Sequence, residues 1–155
     1  MPANPPYRAL LQQGGAFVEK ATGTLSELGR RMWLSVPVLE SGTYTPTLTN
    51  VANVAASTAY ACQYAQVGIL VTVTGQVAID PTAATTLTRL GISLPIPSSL
   101  TLAEQVGGTA AQPDVASYGA AIRGDATNDR AELAFTCGAD VANRIWSFSF
   151  SYRVL

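Results

Sequence analysis

Polar and apolar positions alternate with a period of two along much of this chain from Ser41 onward, which is the pattern of half-buried β-strands. The clearest run is Trp146, Phe148, Phe150, Tyr152 and Val154, interleaved with Ser147, Ser149, Ser151 and Arg153. Only an extended strand places those aromatics on one face, so this segment is predicted to be tied into the core. Leu70 to Asp80 repeats the pattern: Val71, Val73, Val77 and Ile79 face one way, and Thr72, Thr74, Gln76 and Ala78 the other. Gly75 inside it predicts a bulge or a close backbone approach. Thr43 to Asn50 reads as a first strand, confined by Pro46 to an edge or a strand start. Thr58 to Val67 reads as a second, with Tyr60, Cys62 and Tyr64 on one face, and Gly68 marks a tight connection. Asp80-Pro81 predicts a turn. Thr85 to Leu94 is a further strand, ended by Pro95 and Pro97. Tyr118 to Arg123 and Arg130 to Cys137 form a pair around the turn formers Gly124 to Asp129. About eight short strands over residues 41–155 predict an all-β domain, a β-sandwich or jelly roll. The absence of a tandem repeat speaks against a triple-stranded β-helix.

Residues 1–40 have a different texture. Pro2, Pro5 and Pro6 open the segment and exclude regular structure there. Thr24 and Glu27 then have capping-box spacing, and Leu25, Leu28 and Met32 follow on one helical face. Gly29 weakens that helix, and Trp33, Leu34 and Val36 extend its apolar surface until Pro37. So short a helix needs a surface to pack on. The segment reads as an attachment arm, with Leu25, Leu28, Met32 and Trp33 as its docking residues, on another protein or on the chain's own β-domain.

Composition narrows the function classes. The 155 residues carry only 12% charged side chains, against about 25% in an average soluble domain. So uncharged a surface predicts coverage by partner subunits. Net charge is −1 and the only lysine is Lys20, so nucleic-acid binding through a basic patch is not expected. No apolar run reaches the ~18 residues of a membrane span, and Glu19 and Lys20 interrupt any secretory signal, so synthesis in a cytoplasm is expected. The chain has no histidine, which removes Ser-His-Asp and Cys-His nucleophile systems and histidine metal sites. Its two cysteines, Cys62 and Cys137, are expected as buried thiols, with a disulfide as the alternative. No cofactor is expected.

Several stretches together resemble the C-terminal domains of phage tail-fibre and other virion surface proteins. They are Gly42-Thr43-Tyr44-Thr45-Pro46-Thr47, the pattern Y-x-x-V-G-x-x-V-x-V-x-G from Tyr64 to Gly75, Asp80-Pro81-Thr82, Gly91-Ile92-Ser93-Leu94-Pro95, Gly124 to Arg130, and Ser147 to Arg153. The resemblance covers Gly42 to Leu155. It departs at the hairpin, where Gln66 and Ile69 replace a basic and a polar residue, so an apolar side chain stands where the turn should be wet. The resemblance implies an adhesion or structural module of a phage particle, usually a homotrimer, and no catalytic residue. The expected protein is thus a virion component, on the tail in preference to the head: a short tail fibre or receptor-binding protein. The alternative is a capsid decoration protein. Its partners would be other virion proteins, further copies of itself, and a host surface polysaccharide or protein.

Candidate contacts follow. Tyr118, beside Ser117 and Gly119, suits stacking on a sugar ring. Tyr44, Tyr60 and Tyr64 suit the same task or core packing, with packing favoured for Tyr60 and Tyr64. Asp125, Asn128 and Asp129 form the densest acidic cluster, as oxygen ligands for a receptor or a cation, or as a turn held by its own side chains. The spacing does not fit an EF-hand, and no metal site is expected. Glu104, Asp114, Glu132 and Asp140 are the carboxylates a glycosidase would need to pair, which the sequence does not do. The chain is not expected to be an enzyme.

Overall fold

A computed structural model describes residues 39–113 and 118–155. The described chain is all-β. Its strands are β1 (Leu39–Tyr44), β2 (Leu48–Ala52), β3 (Val54–Ala59), β4 (Cys62–Val67), β5 (Leu70–Pro81), β6 (Leu87–Ser93), β7 (Val106–Ala111), β8 (Gly119–Asp125), β9 (Arg130–Thr136) and β10 (Arg144–Arg153). A single 3-10 turn at Ala103–Gln105 precedes β7, and no α-helix occurs among the described residues. The expected helical arm, with Leu25, Leu28, Met32 and Trp33, lies outside them. Leu39 and Glu40, assigned from sequence to the arm, belong to β1.

All ten strands join one antiparallel sheet curled into a half-barrel: nine run in the order β1-β4-β5-β10-β7-β8-β9-β6-β2, and β3 pairs with β5 off this path. The strand β10 is central, paired with β5 along Arg144 to Arg153 and with β7 along Ser147 to Tyr152. Its Trp146, Phe148, Phe150 and Tyr152 are all buried, as the alternation predicts. They meet Val71, Val73, Val77 and Ile79 of β5, each with no exposed surface. Phe135 of β9 packs 4.2 Å from Trp146, centroid to centroid.

A corner between β2 and β3 carries the chain from one part of the sheet to another. The strand β2 pairs with β6 at the far end of the sheet, while β3 pairs with β5. Between them Asn53 takes a left-handed conformation, φ 54°, which asparagine tolerates better than most residues. Its side-chain amide donates to Ala83 O at 2.9 Å and Thr88 Oγ1 at 2.8 Å, and its Oδ1 accepts from Ala83 N at 2.8 Å. One side chain thus ties the β2–β3 corner to the segment leading into β6.

Several sequence expectations shift in register. The first predicted strand is two, because Thr45, Pro46 and Thr47 break the ladder between β1 and β2. The second is also two. Ala59 pairs with Val77 and Gln63 with Thr74, so four steps on one strand oppose three on the other. The extra residue is a bulge-like irregularity that reverses the side-chain phase. Cys62 is therefore fully buried while Tyr60 is 41% exposed, against the expectation that the two share a core face. Gly75 lies opposite this break, and a β-carbon there would overlap the Cys62 sulfur, so its role is close approach. Asp80-Pro81 does not turn; both residues continue β5 and pair with β3. The strand β7 was not anticipated.

Candidate functional site

The β8–β9 hairpin brings together some of the predicted contact residues. Asp125 and Arg130 are cross-strand partners, and Arg130 Nε donates to Asp125 Oδ2 at 2.8 Å. Asn128 Nδ2 donates to the same oxygen at 2.8 Å, and its backbone N donates to Asp125 O at 3.2 Å. Asp129 turns away from both. With φ 47°, it aims its carboxylate at the 98–100 segment, accepting from Ser98 N at 3.1 Å and Leu100 N at 2.9 Å. Tyr152 holds the same segment, its hydroxyl donating to Ile96 O at 2.8 Å and accepting from Ile96 N at 3.2 Å. The three polar side chains thus serve hairpin and loop geometry, and no group of three metal-ligating side chains occurs among the described residues.

Burial alone would raise the Asp129 carboxyl, but the backbone N–H groups of Leu100, Ser99 and Ser98 outweigh it and hold the group below its ordinary value. Stability from a depressed carboxyl is fully present above the ordinary value near pH 4 and is lost as pH falls through the lowered one. Asp129→Ala strands two backbone donors and is expected to cost about 1–3 kcal/mol at neutral pH. The variant should also show a shallower stability loss below about pH 4, checked by urea unfolding across pH.

A second polar cluster lies further along the same hairpin. Glu132 is buried, and its Oε1 accepts from Arg123 Nη2 at 3.1 Å, with Arg89 Nε at 3.7 Å. Sequence reasoning missed this cluster, because the expected turn over residues 124–129 would set Arg123 opposite Arg130, whereas the turn centred on residues 126–129 sets it opposite Glu132. Of the other carboxylates, Asp140 pairs with Arg144 and accepts from Ala142 N, and Glu104 sits exposed on the 3-10 turn. Asp114 lies outside the described residues. Glu132 is committed to arginines and Asp140 to its own loop, so neither is posed as one of two facing carboxylates.

Tyr118 flanks β8 at the end opposite Asp125, roughly 20 Å away along the strand. It is half-buried and packs against the core, with its hydroxyl over Gly138, so the four predicted receptor residues do not form one patch. Tyr44 donates to Ser93 O at 3.2 Å, and burial pushes its hydroxyl pKa up. Tyr64 lies over Gly42 and donates to Glu40 at 2.9 Å. Both cysteines are free and buried, and burial raises both thiols, Cys137 with a smaller push from Asp140.

The opposite face of β1, β4 and β5 carries an open groove of about 470 Å³, lined mainly by Ser41, Thr43, Gln63, Ala65, Thr72 and Thr74. A second hollow of about 260 Å³ adjoins it towards Leu39 and Val67. Hydroxyl, amide and methyl groups line most of the larger groove, with Tyr64 beside them and Glu40 bordering the smaller hollow. No family model, curated protein or solved structure matches this chain.

Proposed function

We propose that this chain is a bacteriophage virion protein, a short tail fibre or receptor-binding component, whose β-domain serves adhesion or assembly. The observation that supports this most is where the family-like stretches fall. The Y-x-x-V-G-x-x-V-x-V-x-G pattern is the β4–β5 hairpin, turning at Gly68 with φ 63°; the G-D-A-T-N-D-R stretch is the β8–β9 hairpin; and the closing S-F-S-F-S-Y-R is the central strand. Stretches scattered over the sequence thus become the hairpins and the spine of one sheet. The ion pairs Arg123–Glu132, Arg130–Asp125 and Arg144–Asp140 hold a hairpin and a loop in place, which fits a structural role.

The helical attachment arm at residues 1–40, a homotrimeric state and a two-layer, jelly-roll-like closure belong to the same reading. So does contact with a host surface polysaccharide or protein, for which the exposed tip of the β8–β9 hairpin around Asn128 is the best placed candidate.

Gold-labelled antibody against the chain, viewed on intact particles by electron microscopy, is expected to decorate the tail. Gold spread over the head would replace this reading with capsid decoration, and particles without gold would remove the chain from the virion.

A further inference from the structure

The outward face of the sheet has a chemical pattern that the proposed function does not use. Cross-strand partners Leu39, Val67 and Leu70 form one row, 70%, 55% and 47% exposed. Ile69, in the hairpin beside them, is also exposed. Scattered exposed apolar residues are ordinary, but three in register on adjacent strands make a patch. The next rows continue it without charge: Ser41, Ala65, Thr72 and Ser151, then Thr43, Gln63, Thr74 and Ser149. Along these three rows only Arg153, at one corner, carries charge; Asp80 lies on the same face at the far end of β5, and Glu40 borders the smaller hollow. The two adjoining hollows make its β1–β4–β5 portion concave.

We infer that a second copy of this chain covers this face, with the Leu39–Val67–Leu70 row at the contact. Three observations favour a copy over other occupants. An anionic polymer or lipid headgroup would find one cation to meet. A sugar would find one aromatic residue at the groove, Tyr64, whose ring lies over Gly42 and whose hydroxyl is engaged with Glu40. A copy brings a surface on which several charges are already held in pairs, Arg123 with Glu132, Arg130 with Asp125 and Arg144 with Asp140, so fewer unpaired charges need be desolvated against this face. The extent fits as well. Five strands at ~4.8 Å and rows spanning ~20 Å give roughly 500 Å² of plane before side-chain relief. That is of the order of the ~800 Å² per partner of a standard interface. The inference rests on the homo-oligomer part of the proposed function and not on a place in a virion.

Sedimentation equilibrium of the full chain tests it. The wild type is expected at two or more times the 16.2 kDa chain mass at micromolar concentration. Ala65→Arg and Val67→Lys, each shown to be folded by near-ultraviolet circular dichroism, should each weaken association at least about tenfold. Leu102→Lys alters a residue just as exposed, at 60%, on the 3-10 turn, and should leave the mass unchanged. If either face variant fails to fold, Thr74→Lys reads the same face. A wild type that is monomeric at roughly 100 µM overturns the inference. So does an oligomer indifferent to the face variants, or one weakened equally by Leu102→Lys. An oligomer that responds as expected while particles carry no gold would keep this interface and discard only the virion assignment.

Discussion

Phe150→Ala is expected to lower the unfolding free energy by about 3–5 kcal/mol. Phe150 is 1% exposed on the central strand, with β5 on one side and β7 on the other. Its ring stacks 5.8 Å from Phe148 and lies 6.2 Å from Tyr152, so truncation opens a cavity inside a continuous aromatic row. Both flanking ladders hold the backbone in register, which leaves the site little freedom to collapse, and that favours the upper part of the range. Denaturant unfolding of the variant beside the wild type measures the difference. A loss below about 1 kcal/mol would mean that the aromatic face is solvated.

Gly108→Ala should do more, although it adds only one methyl group. Gly108 is the cross-strand partner of Phe150 on β7. A β-carbon built on it overlaps the Ser149 carbonyl oxygen and the Phe150 α- and β-carbons. Those atoms are backbone or fixed to it, so no rotamer change relieves the clash, and β10 must move away from β7. Separating the two breaks the ladder hydrogen bonds between β7 and β10. The expected cost exceeds about 4 kcal/mol, enough to exhaust much of a domain's margin, with the variant recovered largely insoluble or lacking near-ultraviolet dichroism. Gly107→Ala is the control: it sits one residue away on the other face, with open space at its β-carbon, and should fold normally.

The same strand shows why the sequence was only partly legible. The strands β5 and β10 announce themselves because large apolar side chains alternate with hydroxyls, and a period of two has one structural meaning. The strand β7 has the sequence Val-Gly-Gly-Thr-Ala-Ala. It carries few large side chains because Phe150 already fills the space above it, so the signal of the strand sits on its neighbour. The Tyr60 phase failed for a related reason: a one-residue irregularity is set by what lies across the ladder, here Gly75 and Cys62, and leaves no mark in the run itself. Among the contact candidates, the Asp125–Arg130 pair follows from any correctly centred hairpin. The role of Asp129 does not, since Ser98 and Leu100 lie about thirty residues earlier and meet it only once the sheet has curled.

The position of β10 also bears on how the chain is made. Of the ten strands it is the last to be synthesised, yet it lies between β5 and β7, each waiting for the partner it supplies. Until its residues leave the ribosome, both neighbours present unpaired backbone edges and the valines of β5 have no aromatic row to cover them. At about 5–20 residues per second the interval from β5 to β10 lasts seconds, long enough for chaperones to engage those edges. A product that stops short of Trp146 never gains the spine of the sheet. Prematurely ended chains would then be cleared by proteolysis before they could compete with full-length copies for a place in an assembly.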